Sequence, residues 1–422
     1  SSHGVASGQI DARDFFLARV ADDARIEQPD MLWLQTDADA PAKRVIAVEL
    51  AKPNPADWRE VIPEQKETLE TVHIVGERFF AVYLKDAQTK VRLFDLAGKA
   101  TGEVQLPGIG TAGGFGGKRT DKETFYSFTG YTSPGMIYRY DPVSGASTVF
   151  RAPKVKFNPD DYETKQIFYA SKDGTRVPMF ISHKKGLKLD GKNPTLLYGY
   201  GGFEVSMNPF YSGAFGHGWY TRGGVFVLAN IRGGGEFGPA WHQAAIKPNK
   251  QKSYDDFIAV AEDLVATKVT NPRHLGIEGG SNGGLLVGAT MVQRPDLFNA
   301  VVCQVPLLDM RRYHTLLAGA SWMAEYGNPD LPEEWAWISK YSPYQNVKPG
   351  VQYPKAFIVT STRDDRVHPG HARKMAARLI EQGHPVIYHE YIEGGHSAAA
   401  DNAQRADRQA LEFAYLWLQL GR

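Results

Sequence analysis

Leu275-Gly276-Ile277-Glu278-Gly279-Gly280-Ser281-Asn282-Gly283-Gly284-Leu285-Leu286-Val287 is the stretch on which the fold of this chain turns. A short apolar run leads into Gly-Gly-Ser-Asn-Gly-Gly, and a second apolar run begins at once. Gly279, Ser281 and Gly283 fit G-x-S-x-G, the pattern of a strand–turn–helix nucleophile elbow. The turn is sharp and the two backbones pass close together, so only small residues fit beside the serine. The serine Oγ then stands at the carboxyl edge of a sheet, beside a helix N-terminus whose backbone N–H groups can stabilise an oxyanion. The bare pattern also occurs by chance as a plain glycine turn. The strand before it and the helix after it favour the functional reading.

Outward from the elbow, the chain beyond about residue 160 alternates apolar strands with amphipathic helices. Strands are expected at residues 166–169, 177–181, 195–198, 225–229, 275–277, 300–303, 356–359 and 386–388, and helices at 255–268, 282–293, 371–382 and 402–420. The first two strands flank a Lys172-Asp173-Gly174-Thr175 turn. This alternation implies an α/β hydrolase fold, a mostly parallel, doubly wound sheet with ligands at the carboxyl ends of its strands. A serine nucleophile there needs a base, and the base needs an orienting carboxylate, in the chain order Ser, Asp or Glu, His. The strand at 356–360 runs into Ser361-Thr362-Arg363-Asp364-Asp365-Arg366-Val367, which supplies Asp364 or Asp365. The last strand runs into Ile392-Glu393-Gly394-Gly395-His396-Ser397. Among twelve histidines, His396 alone combines the last-strand position with a flanking Gly-Gly, and it ranks above His368, His371, His384 and His389. Ser281 is the expected nucleophile, His396 the general base and then acid, with an aspartate holding the imidazole tautomer.

Composition narrows the alternatives. A chain of 422 residues has room for two domains and a large core. The formal charge is +1, with 48 Lys and Arg against 47 Asp and Glu and no long charged run, so no nucleic-acid or polyanion partner is expected. The single cysteine, Cys303, excludes an intramolecular disulfide and a thiolate metal cluster, and its apolar run makes it a buried strand residue. No apolar run is long enough to span a membrane. The first residues, Ser-Ser-His-Gly, carry no signal-peptide pattern, and the expected compartment is the cytoplasm, with the periplasm as the alternative.

Two motifs lose to their bland readings. Gly233, Gly235 and Gly238 fit G-x-G-x-x-G after a strand, with Asp255 and Asp256 downstream. Pro239 and Pro248 interrupt the helix that a dinucleotide site requires, and the acids precede a helix instead of ending a strand. His389-Glu390 with Glu393 and His396 misses the zinc spacing H-E-x-x-H, so no metal and no cofactor are expected.

Residues up to about 150 read as β structure. Aromatic and β-branched runs at 14–17, 31–34, 44–48, 78–83, 91–94, 124–128 and 136–140 alternate with turn signals such as Leu96-Ala97-Gly98-Lys99 and Asp141-Pro142-Val143-Ser144-Gly145. Their spacing suits antiparallel meanders of the propeller or sandwich kind. The Gly-rich run 108–118 resembles a phosphate loop. Ala112 stands where its first glycine belongs and Arg119 follows Lys118, so it is expected to be a plain loop.

Longer motifs carry a family resemblance. Leu196-Leu197-Tyr198-Gly199-Tyr200-Gly201-Gly202-Phe203, Ala229-Asn230-Ile231-Arg232-Gly233-Gly234-Gly235-Glu236-Phe237-Gly238, the elbow, Tyr341-Ser342-Pro343-Tyr344 and Asp364-Asp365-Arg366-Val367 follow in order. From about residue 160 the chain resembles the prolyl oligopeptidase family of serine peptidases, and the part before it is similar to the late blades of that family's β-propeller. The resemblance implies domains at 1–155 (about three blades of an incomplete propeller) and 156–422 (the catalytic domain). It implies Asp364 as the triad acid, leaving Asp365 structural. It implies an oxyanion hole of the Tyr200 hydroxyl and the Asn282 backbone N–H. Arg366 is implied to bind a substrate carbonyl, Trp322 to stack on a proline ring, and Phe203, Leu307, Tyr326 and Val367 to line that pocket. A flat indole gives a pyrrolidine face contact without a charge, whereas cleavage after Arg or Lys would call for carboxylates. The ordinary alternatives are core packing for Trp322 and Phe203, and a surface ion pair with Asp365 for Arg366.

The implied activity is that of a serine endopeptidase cutting short peptides on the carboxyl side of proline through an acyl-enzyme. The rivals are a serine exopeptidase or esterase on the same fold, and a non-catalytic propeller interaction module. Seven blades need roughly 300 residues, about twice what precedes the catalytic domain. The missing blades are therefore expected from another chain segment, and the complete protein is expected to be a monomer.

Overall fold

The computed structural model describes the backbone of residues 15–19 and all of residues 31–421. The opening Ser-Ser-His-Gly and Asp14, which entered the readings above, lie outside the described residues. The chain forms two compact units. One holds the chain up to Lys154 with Asn208–Tyr211 and Phe237–Pro239, and the other holds the remainder.

Among the described residues, the first unit contains three four-stranded antiparallel sheets: β1 (Phe15–Arg19), β2 (Met31–Thr36), β3 (Arg44–Glu49) and β4 (Arg59–Ile62); β5 (Thr68–Val75), β6 (Arg78–Lys85), β7 (Gln88–Asp95) and β8 (Ala100–Glu103); and β9 (Thr111–Gly114), β10 (Thr124–Gly130), β11 (Ser133–Tyr140) and β12 (Ser147–Arg151). Strands follow one another in each sheet, the meander of a propeller blade. Strand β6 shows why the sheets stack. Successive side chains point to opposite faces, and Phe79, Ala81 and Tyr83 join Trp33, Val45 and Ile62 of the first sheet. Phe80 and Val82 join Phe115, Tyr126 and Tyr140 of the third. A strand buried on both faces is apolar throughout instead of alternating. Strand β9 lies inside the glycine-rich run expected to be a plain loop. Its Gly113 and Gly114 pair with Ser127 and Tyr126 and bring no side chains of their own, so no side-chain pattern announces it.

The second unit is built on one eight-stranded sheet: β13 (Tyr162–Ala170), β14 (Arg176–Lys184), β15 (Thr195–Gly199), β16 (Val225–Ala229), β17 (Leu275–Gly280), β18 (Ala300–Gln304), β19 (Lys355–Ser361) and β20 (Val386–Tyr391). The order is β13-β14-β16-β15-β17-β18-β19-β20. The first two strands are antiparallel to their neighbours and the last six run parallel. The helices are α1 (Gly213–Gly218), α2 (Pro239–Gln243), α3 (Gln251–Ala266), α4 (Asn282–Gln293), α5 (Met323–Tyr326), α6 (Pro332–Tyr341), α7 (Pro343–Asn346), α8 (Gly370–Glu381) and α9 (Asn402–Leu420).

Leu275 and Ile277 share a core with Phe257 and Val260 of α3, Leu285 and Leu286 of α4, and Met375 and Leu379 of α8. Gly276 faces the other way, and a Cβ there would lie 2.8 Å from Leu420 of α9. Helices therefore cover both faces, as parallel sheets require. No helix among the described residues is long and apolar enough to cross a membrane.

Candidate active site

The elbow is strained in the way its sequence demands. Ser281 sits at φ 59°, ψ −116°, between the last residue of β17 and the first of α4. An L-residue held there stores strain, and the surrounding structure must enforce it. The Ser281 N–H donates to the Gln304 carbonyl at the end of β18 (2.9 Å). A Cβ on Gly279 would lie 2.2 Å from the Gly283 carbonyl oxygen, so no side chain fits at that crossing.

Strand register brings the other groups to the same edge. Tyr198 pairs with Glu278, Gly280 with Gln304, Gln304 with Val359 and Ser361 with Tyr391. The segments that leave these strand ends carry Tyr200, Ser281, Asp364 and His396. His396 Nδ1 lies 2.8 Å from Asp364 Oδ2, with the aspartate side chain fully buried and the imidazole 17% exposed. The second Asp364 oxygen accepts the backbone N–H groups of Arg366 (3.0 Å) and Val367 (2.9 Å). A carboxylate so fixed orients the ring and leaves Nε2 as the free nitrogen. Asp365 is exposed. The Ser281 side chain interacts with the Tyr200 phenol, and among the described residues it makes no hydrogen bond to His396; such bonds often tighten only when substrate is bound.

Burial pushes the Tyr200 phenol above its ordinary pKa, against the pull of the Arg366 charge. The phenol therefore stays protonated at neutral pH and can donate to an oxyanion. Asn282 opens α4, where backbone N–H groups lack intrahelical partners. Its side chain does separate work: Nδ2 donates to the Tyr200 carbonyl (2.6 Å) and Oδ1 accepts from the Tyr326 hydroxyl (2.6 Å). A Cβ on Gly202 would stand 2.5 Å from that Nδ2, which keeps the position free of a side chain.

The residues expected to line a proline pocket gather on one core. Leu307, Tyr326 and Val367 are buried in it, with Phe203 and Trp322 packed against it. The Phe203 and Tyr326 rings meet edge-on at 5.7 Å. Arg366 is exposed, and its side chain forms no ion pair with Asp365 among the described residues.

The other candidate histidines have local work. His371 Nδ1 accepts the N–H groups of Leu308 (3.2 Å) and Asp309 (3.0 Å), and burial lowers its pKa to about 4. His368 Nδ1 accepts the Gly370 N–H, His384 Nε2 contacts the Lys348 carbonyl, and His389 packs on Tyr391. Cys303 lies under the elbow, donating to the Gly284 carbonyl, and burial raises its thiol pKa. The dinucleotide-like glycines lead only to α2, and Asp256 is occupied by the Arg232 guanidinium (2.7 Å) and the Ser171 hydroxyl (2.5 Å). Among the described residues no group of three His, Cys, Asp or Glu is arranged to hold a metal ion.

Sequence reasoning missed a charged cluster beside the site. Lys250 Nζ donates to Glu325 Oε1 (2.8 Å) and to the Gly201 carbonyl (2.9 Å), and His242 Nε2 meets Glu325 Oε2 (2.7 Å). Burial opposes the Glu325 charge, but Lys250 and His242 hold the carboxyl below its ordinary pKa. The one local signal is Lys250 itself, which stands just before α3 where Ser, Thr, Asp or Asn would cap the helix.

The strand order and elbow define the α/β-hydrolase fold. Residues 215–422 match the family model described as "Prolyl oligopeptidase family", and residues 9–153 match "Prolyl oligopeptidase, N-terminal beta-propeller domain". A prolyl endopeptidase of Elizabethkingia miricola is 44% identical over 93% of this chain and 56% of its own length. One from Dictyostelium discoideum is 39% identical over 86% of this chain and 50% of its own. A solved structure from a study of two prolyl endopeptidases and their inter-domain dynamics superposes with a TM-score of 0.86 at 45% identity, over 93% of this chain and 58% of that one. Prolyl oligopeptidase B of Galerina marginata, bound to a 25mer macrocyclization substrate, gives a TM-score of 0.84 at 33% identity, over 93% and 56%. The chain belongs to the prolyl oligopeptidase family. It spans about half the length of the curated relatives it matches.

Proposed function

We propose that this protein is a serine peptidase that hydrolyses short peptides on the carboxyl side of proline through an acyl-enzyme. Residues 156–422 form its catalytic domain and residues 1–155 the late blades of its propeller; the two compact units, which divide near Lys154, support that boundary. The observation that carries the reading is the Asp364–His396 contact at the edge where Ser281 is held in its strained turn.

In the mechanism, His396 Nε2 takes the Ser281 proton as Oγ attacks the carbonyl carbon of the proline residue. The Tyr200 hydroxyl and the Asn282 N–H stabilise the oxyanion. His396 then gives the proton to the leaving amine, and water repeats the sequence on the ester. Trp322, Phe203, Leu307, Tyr326 and Val367 receive the proline ring, and Arg366 binds a substrate backbone carbonyl. Three substrate-bound structures of Galerina marginata prolyl oligopeptidase B carry alanine in place of a serine, an aspartate and a histidine, which follow in that chain order. The same order of Ser281, Asp364 and His396 here supports the assignment.

Fluorophosphonate labelling of Ser281, paired with hydrolysis of blocked Gly-Pro, Arg and simple ester substrates, tests the reading. Labelling with preference for the Gly-Pro amide is expected. Preference for Arg would overturn the pocket assignment, and a well-folded protein that takes no label would overturn the peptidase reading.

A further inference from the structure

Lys250 and Glu325 are 1% and 3% exposed, respectively, in their side chains. Taking such a pair out of water costs about as much as its attraction returns, so a buried ion pair is a poor device for stability alone. Lys250 also occupies a helix-capping position without capping, and a broken local rule points to a gain elsewhere. The partners show where that gain lies. Lys250 Nζ holds the carbonyl of Gly201, the residue after Tyr200. Glu325 precedes Tyr326 in the chain, and the Tyr326 hydroxyl reaches Asn282 Oδ1, whose amide nitrogen holds the Tyr200 carbonyl. The contacts therefore close a ring: Tyr200–Gly201, Lys250, Glu325–Tyr326, Asn282, and back to Tyr200. Outside the ring, His242 meets the second Glu325 oxygen and lies 3.8 Å from Glu204 on the Tyr200 segment.

We infer that Lys250 and Glu325 are positioning residues that lock the oxyanion tyrosine and the Tyr326 wall of the proline pocket into one frame, so that filling the pocket and stabilising the oxyanion are coupled. This rests on the peptidase reading above. Lys250 fixes the backbone that aims the Tyr200 phenol, and Glu325 fixes Lys250 and the turn carrying Tyr326. Neither touches substrate. A misplacement of about 1 Å at an oxyanion donor costs roughly 100-fold in rate, so a frame that resists it is felt in kcat.

The test uses the intact protein with Lys250→Met, Glu325→Gln, the double variant, and Tyr326→Phe. Each single charge variant strands a buried charge, and loss of thermal stability is expected. The double variant leaves no charge unpaired and should recover most of that stability. Its kcat on a blocked Gly-Pro amide should nonetheless stay about 30-fold below wild type, with KM within about threefold and the proline-over-alanine preference reduced about tenfold. A stable double variant with wild-type kcat and preference would show a merely structural pair and overturn the inference. Should the double variant fail to fold, Tyr326→Phe decides: a kcat loss of about fivefold supports the frame, and unchanged kinetics overturn it. Wild-type protein that folds but neither labels nor cleaves would overturn the peptidase reading and this inference together. Active wild type with an equally active double variant would overturn the frame alone.

Discussion

Ser281 and Tyr200 sit inside a frame of buried hydrogen bonds, whereas His396 stands on a loop whose neighbours Ile392 (73% exposed), Glu393 and Ser397 face solvent. On the serine side, Gln304, Asn282, Tyr326 and Lys250 each fix a backbone or side-chain position. On the histidine side, one contact to Asp364 does the orienting. In the proposed mechanism, the contrast follows from what each side must do. Oxyanion donors act by being in place before charge develops, and any reorganisation subtracts from their effect. A general base that becomes a general acid must serve first the serine and then the leaving amine, so it needs a fixed tautomer more than a fixed position.

The contrast can be broken first at the nucleophile. Ser281→Ala should abolish fluorophosphonate labelling and lower kcat on a Gly-Pro amide by about 10^6-fold; residual turnover within tenfold of wild type would mean another nucleophile. Next comes the acid. Asp364→Asn should lower kcat about 10^4-fold while Asp365→Asn changes it less than about threefold, and equal losses at both positions would contradict the assignment of the buried member of the pair. Tyr200→Phe removes one donor from the rigid side, with an expected fall of about 10^2- to 10^3-fold in kcat at little change in KM. Trp322→Ala should act the opposite way, raising KM about tenfold with kcat largely kept, because it removes ground-state contact to the ring; steady-state kinetics separate the two patterns.

The smallest effect concerns stability. Burial raises the Glu236 carboxyl pKa to about 7, and among the described residues its Oε2 has no hydrogen-bond partner. A raised carboxyl means that the folded state holds a proton the unfolded state has lost. Its contribution therefore weakens stability as pH rises from the ordinary carboxylate range toward and beyond 7. Glu236→Gln should raise Tm by about 1–3 °C at pH 8 and by less at pH 5. A larger gain at pH 5, read by thermal melts, would reverse the sign.

Much of the sheet was legible because buried parallel strands are short apolar runs and their helices are periodic. Helices α4 and α9 begin and end at the residues the sequence pattern gives. Helix α3 begins at Gln251, earlier than its apolar period suggests, since its first turn is polar and held by tertiary contacts. In the first unit, β4, β5, β8 and β12 escaped notice, since polar residues and glycine make up half or more of each, and β9 was hidden in glycines. The site divides likewise. The elbow announces itself locally because sterics dictate its glycines. Lys250, Glu325 and His242 lie far apart in the chain, and nothing in the spacing of a lysine, a glutamate and a histidine reveals that folding will bury them together.

The Ser281 turn has a consequence for the life of the nascent chain. Its conformation depends on the Gln304 carbonyl of β18, which is synthesised after the serine, and on a sheet whose later members are made later still. A ribosome-bound chain that has just extruded the Gly-Gly-Ser-Asn-Gly-Gly segment thus holds an ordinary serine. His396 is made later still. In the proposed peptidase, Ser281 therefore takes up its strained geometry only once the sheet around it has formed.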